Sequence, residues 1–401
     1  MRLTALLIAV AIILCPAYLL LAQEASAPEP MADPLRAPRV KQRDAWAKLA
    51  NMLHAKDDPH SQLLSAWALF HQFDVDYFSL AEADPNELLQ QYDEQCQAWR
   101  KKLADQADPP AHVQLAMQEL GALLDDIEAN RLQYARPAGD DNSSPELRDW
   151  HDKLQSFQFR RTQAMQERGR RIIAMYRAGE IDAVRPCVVL LERQIGERVL
   201  LEQRELSGKA DEASGFKQQR RALLDKQRGE WRRMSELLPQ ATERTVLIEL
   251  GEKICHLHSL TLDLLTARLD IDDATKGTEA KENAAALAKR VFAAYQDLHR
   301  AAAAHHGEGK LTLEQLARIH DLRMYTTIWN DPALPPADVV ADGFEVAEMW
   351  GKVYEQLHKA DPDGIDTQIA LAKKLEAEVT REERKGTMPM QPAPVSPAPA
   401  K

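Results

Sequence analysis

The sequence predicts an all-α protein, an elongated antiparallel helical bundle or bundles of long helices and helical hairpins, and three observations predict it. Glycine is scarce, 16 in 401 residues, and β-branched runs are few, which leaves little material for tight β-hairpins and strands. Leucine-type residues recur every three or four positions over long stretches, and no stretch sustains the alternation of apolar and polar residues that a strand needs. Finally, Asp58-Pro59, Asp84-Pro85, Ser144-Pro145 and Asp361-Pro362 each read as a helix start. In such a pair the Asp or Ser side chain accepts a bond from a free amide, and the proline has no amide to leave unsatisfied.

The chain opens on MRLTALLIAVAIILCPAYLLLAQEASA, with Arg2 as a positive end and residues 3–22 as an uncharged apolar run. That run reaches the roughly 20 residues a membrane anchor needs. Pro16 divides it, however, and this favours a signal peptide, with Leu20-Leu21-Ala22 or Ala25-Ser26-Ala27 as the cleavage site. Cys15 lacks the small neighbours that lipid attachment wants. On either reading the body is exported, periplasmic or secreted, the alternative being attachment to the membrane through residues 3–22. Residues 23–38 and the Pro/Ala-rich tail 386–401 read as disordered.

Between these ends, helices are expected near 40–56, 59–73, 85–107, 110–135, 145–178, 182–207, 216–238, 241–269, 277–306, 312–329, 336–359 and 363–385. Loops at 136–144 and 330–336 mark off an N-terminal helical subdomain (39–135), a central long-helix bundle (145–329) and a C-terminal helical hairpin (336–385). The helix at 241–269 shows the packing logic: Val246, Leu250, Ile254, Leu257, Leu264 and Leu265 form one seam, with Arg and Glu on the far side. Such stripes are buried only against one another.

MYRAGEIDAV (175–184) and HHGEGKLTLE (305–314) form an internal echo. In each, a glycine (Gly179, Gly309) closes one helix and a capping residue (Asp182, Thr312) opens the next. The second copy resembles the helical hairpins of outer-membrane efflux proteins of the TolC type, over some 40 residues, roughly ten turns of helix. The resemblance implies helical hairpins. That family also inserts strands of a membrane barrel, which this sequence does not contain.

KICHLH (253–258) is the densest cluster of candidate metal ligands. On a helix Cys255 and His258 share a face, and Glu252 lies near His256. His256 points about 100° away from Cys255, and two ligands do not close a four-ligand site. Cys255 and His258 are therefore the candidate metal pair, to be completed from elsewhere, for instance by His305 and His306, and the simpler expectation is structural. The other exported cysteines are Cys96 and Cys187. Counted from level helix ends, Cys187 and Cys255 are offset by roughly 13 Å, against about 7 Å between the Cα atoms of a disulfide, so both are expected to be thiols. A di-metal carboxylate bundle needs two Glu-x-x-His pairs, and only Glu355/His358 presents itself. No nucleophile elbow or phosphate-cradling glycine loop occurs.

Lys217, Arg220, Arg221, Lys226, Arg228, Arg232 and Arg233, beside Trp231, form a basic helix face, as do Arg160, Arg161, Arg168, Arg170 and Arg171 on another helix. The first is a candidate site for an anionic partner. The net charge of −11 argues against nucleic acid. The reading that follows is an exported, non-catalytic helical scaffold or partner-binding protein of the cell envelope. It would take no cofactor, act on protein partners, and be able to self-associate through helical seams. The alternatives are a helical metal-binding protein or enzyme using Cys255 and His258, and an accessory of an envelope transport complex.

Overall fold

The structure, a computed structural model, describes residues 34–80, 85–106, 109–137, 144–207, 213–240, 245–271, 277–322 and 331–386. The expected signal segment, most of the spacer and the C-terminal tail lie outside the described residues. Among these residues the chain is all-α, with no strand. The helices are α1 (Arg36–His54), α2 (Pro59–Val75), α3 (Pro85–Ala104), α4 (Ala111–Tyr134), α5 (Pro145–Arg177) and α6 (Val184–Ser207), then α7 (Ala213–Leu237), α8 (Val246–Ile271), α9 (Gly277–Gly307), α10 (Leu313–Asp321), α11 (Pro336–Ala360) and α12 (Ile365–Gly386). No described helix is long and apolar enough to cross a membrane.

Local chemistry sets the ends. Asp58 accepts from the Ser61 amide at 2.9 Å and Ser144 from that of Leu147 at 3.1 Å, each with proline at the first helical position. Asp361-Pro362 behaves differently. The Asp361 amide still donates to the Leu357 carbonyl at 2.8 Å and so closes α11, which leaves Pro362 in a turn, and α12 starts only at Ile365. The helix expected over 312–329 is described as far as Asp321.

The internal echo is two glycine turns of one design. Gly179 and Gly309 sit at φ 74° and 70°, and the amide after each reaches back to the carbonyl five residues earlier, Glu180 to Met175 at 3.0 Å and Lys310 to His305 at 2.9 Å. Asp182 then caps α6, accepting from Val184 and Arg185, while Thr312 and Gln315 form a capping box on α10. The turns also meet in space: Gln315 donates to Asp182 at 3.2 Å, and Arg185 pairs with Glu314 at 2.5 Å.

One apolar core runs from Ala45 in α1 to Ala377 in α12. α2 packs on α1 and α4, α8 on α7 and α9, and α12 on α11, α10 and α1, so the last helix closes over the first. The expected separation of Cys187 from Cys255 is overturned here. Gly251 has no side chain, and the Ala183 carbonyl lies 3.3 Å from where its Cβ would stand. With Ala183 against Gly251, one further turn along each helix brings Cys187 beside Cys255, and the Cys187 thiol donates to the Ala183 carbonyl at 3.4 Å and lies 3.9 Å from that of Gly251. Counting from level ends failed because a glycine contact, and not the helix ends, sets the register. Both cysteines are free and buried.

Candidate functional site

α2 is buried on nearly every face, so its titratable residues His71 and Asp74 are carried into the interior with its apolar ones. Where α2, α4, α5 and α6 part, they leave a cavity of about 200 Å³. Phe70, Phe73 and Phe78 line one side, and Met165, Val188 and Val189 the other. Into this apolar space project Asp74 from α2, Asp125 and Asp126 from α4, Glu192 from α6, and a group of arginines.

The arginines have anionic partners. Arg161 pairs with Asp126, Arg168 lies 3.6 Å from Asp125, and Arg193 pairs with Glu230 at 2.5 Å. Arg185 and Arg318 share Glu119, each at 3.0 Å, and both also reach Glu314. Asp74 and Glu192, both half-buried at the cavity wall, make no hydrogen bond or ion pair among the described residues. Burial pushes the Asp74 carboxyl up to about 7; His71 and Lys373 oppose the rise, and Glu376 and Asp126 add to it. Burial likewise pushes Glu192 up to about 7, against the pull of Arg168 and Arg318, with Glu119 and Asp126 adding to the rise. Asp125 rises to about 6 for the same reason, even with Arg168 and Arg161 nearby.

A buried ion cluster adjoins the cavity and shares Trp67, His71 and Asp321 with its wall. Asp321, at the end of α10, accepts from the Trp67 indole at 2.8 Å, lies 3.3 Å from His71 Nε2 and takes the Lys373 ammonium of α12 on its other oxygen. Lys373 also reaches Glu376 at 2.9 Å and stands over the rings of Trp46 and Trp67, at 5.3 and 5.7 Å from their centres. Burial disfavours the ammonium, but the two carboxylates outweigh it, so the Lys373 pKa is raised and that of Asp321 lies well below the carboxylate range. His71 is stacked on Trp46 at 4.4 Å and meets Trp67 edge-on. The ligand atoms of His71, Asp321 and Glu376 fall within 4.8 Å of one another, a spacing a divalent ion could use. In this structure Lys373 supplies the positive charge between the two carboxylates.

The residues singled out from the sequence are placed elsewhere. Cys255 turns towards Cys187, His258 stacks on Trp231 at 4.9 Å, and His256 is exposed, so the three side chains of KICHLH diverge. Burial and the nearby Arg198 lower His258 to about 3, which keeps its imidazole neutral. His305 faces Glu249 and Glu308, and His306 Nδ1 meets the Leu311 carbonyl at 2.9 Å, so both serve the second glycine turn. Glu355 and His358 are exposed and do not face inward. Of the basic face on α7, Arg221 pairs with Asp270, Arg228 with Asp225 and Asp263, and Lys226 with Glu197; Arg232 lies 3.8 Å from Glu236. Much of that charge is thus answered by α6, α8 and α7 itself, while Lys217, Arg220 and Arg233 complete the face.

The sequence reading missed the residues that gather. Lys373 carried a readable signal: with Ile369 and Ala377 it falls on one helix face at spacings of four, a lysine in line with two core positions. Asp74 and Glu192 carried no comparable signal, because acidic residues stud every helix of the chain. Compared with protein-family models, curated proteins and solved structures, the chain matches none, so the reading of the site rests on its own geometry.

Proposed function

We propose that the chain is an exported, non-catalytic binding protein of the cell envelope, an antiparallel helical bundle whose interior cavity holds a small ligand. The observation that carries this reading is the cavity of about 200 Å³, where apolar side chains are interleaved with acidic and arginine side chains, a concave space of the kind that holds small molecules. Engineered apolar cavities of about 150 Å³ accept benzene, so this one has room for a ring and a short arm. Export rests on the N-terminal run. Envelope proteins are the partners this location would offer.

A second reading, general acid–base catalysis, draws on carboxylates held near neutrality, where such groups work best. It is the weaker one. No serine, threonine, cysteine, lysine or tyrosine is among the described residues of the cavity wall, so its only side-chain nucleophiles are carboxylates and His71, whose ring already lies 3.3 Å from Asp321.

The test is native mass spectrometry of the intact protein, purified without denaturation from the envelope of cells that export it. A small molecule that stays bound, and that Ala122→Phe at the cavity wall excludes, is the expected result. Retention of the same molecule by Ala122→Phe, or no retained molecule in the parent, would count against the cavity as the site. The intact mass also reports whether the first 22 residues have been removed.

A further inference from the structure

We propose that the cavity takes a small organic cation, a protonated amine on an apolar body, with Asp74 and Glu192 as its counter-charges; this deepens the cavity-binding reading and rests on it. The argument starts from charge balance along the wall. Each of Arg161, Arg168, Arg185, Arg193 and Arg318 faces a carboxylate already. After those pairings Asp74 and Glu192 are left over, one from α2 and one from α6, both against the same space.

A half-buried carboxylate with no partner on an apolar wall is costly to the extent that the wall removes the water that stabilises its charge. The fold does not answer that cost internally. The groups that pull the Asp74 carboxyl down are His71, which lies 3.3 Å from Asp321, and Lys373, which is committed to Asp321 and Glu376. The cations that pull the Glu192 carboxyl down are Arg168, which lies 3.6 Å from Asp125, and Arg318, which pairs with Glu119 and Glu314. The other acids that act on the pair, Asp126, Glu119 and Glu376, are themselves paired, with Arg161, with Arg185 and Arg318, and with Lys373, so the uncompensated negative potential is that of Asp74 and Glu192. An incoming ammonium would meet that potential, while its apolar body would lie on Phe70, Phe73 and Val189. An anion would add to the charge of the two unanswered carboxylates, even though Arg193 Nε and Arg318 Nη2 are buried without a partner among the described residues, and a neutral molecule would leave the two acids unanswered.

The experiment is calorimetric titration of the full-length protein at pH 8 with three probes of similar size: 2-phenylethylammonium, 2-phenylethanol and phenylacetate. The expected result is ammonium binding at least about tenfold tighter than the alcohol, equivalent to about 1.4 kcal/mol, with phenylacetate weakest. Asp74→Asn with Glu192→Gln should abolish the preference for the ammonium while the thermal midpoint is held or raised. Three results would overturn the proposal: equal binding of alcohol and ammonium, tighter binding of phenylacetate, or a preference that survives the double substitution. If alcohol and ammonium bind equally and Ala122→Phe excludes both, the cation class falls and the cavity reading stands. If no probe binds, the cation class falls, and the cavity reading is decided separately by the retained molecule in native mass spectrometry.

Discussion

Lys373 has no exposed side-chain surface, and its ammonium touches two carboxylates above a pair of indoles. Removing one partner of a buried ion cluster leaves the other charges without compensation, a loss of about 3–5 kcal/mol. Lys373→Met should therefore lower unfolding stability by about that amount in urea titration, and adding Asp321→Asn should restore part of it, since a neutral amide has less need of the ammonium. A loss below about 1 kcal/mol would mean that cavity water solvates Asp321, contrary to the burial of the cluster. The same logic separates this cluster from the cavity acids: Asp321 and Glu376 have an internal cation, whereas Asp74 and Glu192 do not.

At the scale of the helix, the two glycine turns are backbone features. A Cβ at Gly179 or Gly309 would meet no atom within 4 Å, so substitution there tests conformation alone. Both lie in the left-handed region, where a side chain costs roughly 1–2 kcal/mol. Gly121 in α4 and Gly169 in α5 are equally uncrowded but helical. Gly179→Ala and Gly309→Ala should each destabilise by about 1–2 kcal/mol, and Gly121→Ala and Gly169→Ala should stabilise by about 0.5–1 kcal/mol. Urea midpoints of the four variants measure the contrast, and a shared sign would remove the backbone explanation. The starts of α2 and α5 were legible because a cap and a proline act within one turn. Asp361-Pro362 was misread for the same local reason: the pair looks identical whether the preceding helix has ended or is still closing on Asp361.

For the whole molecule, the cavity acids make global stability depend on pH. Asp74 and Glu192 are raised above their unfolded values, so folding holds their protons more tightly than the unfolded chain does. Their contribution is fully present below the ordinary carboxylate pKa and is lost as pH rises through about 7. The Lys373–Asp321 pair does not blur this window. The lowered Asp321 loses its contribution only in acid and the raised Lys373 only in alkali, so the pair is constant from about pH 5 to about pH 9. His258, lowered to about 3, works the other way and costs stability as pH falls below its unfolded value. The difference between parent and the Asp74→Asn/Glu192→Gln variant cancels that histidine. Measured by thermal unfolding, the variant's advantage should grow from about pH 4 and level off above about pH 7, reaching on the order of 2 kcal/mol once discounted for water in the cavity. A difference that stays flat with pH would show that the two acids are solvated as in the unfolded chain.

The sequence by itself determined the all-α class, nearly every helix, the two glycine turns and the residues that cap them. All of these depend on chemistry within a turn or two of the chain, where spacing is read directly. Only the tertiary structure decided which polar residues matter. Lys373, Asp321 and His71 come from three helices far apart in sequence, and Asp74 and Glu192 from α2 and α6. Their meeting depends on helix register, and register is set by contacts such as Ala183 against Gly251 that no local pattern encodes. KICHLH shows the converse: His256 is turned about 100° from Cys255, and Cys255 and His258, on one face, meet different neighbours, Cys187 and Trp231.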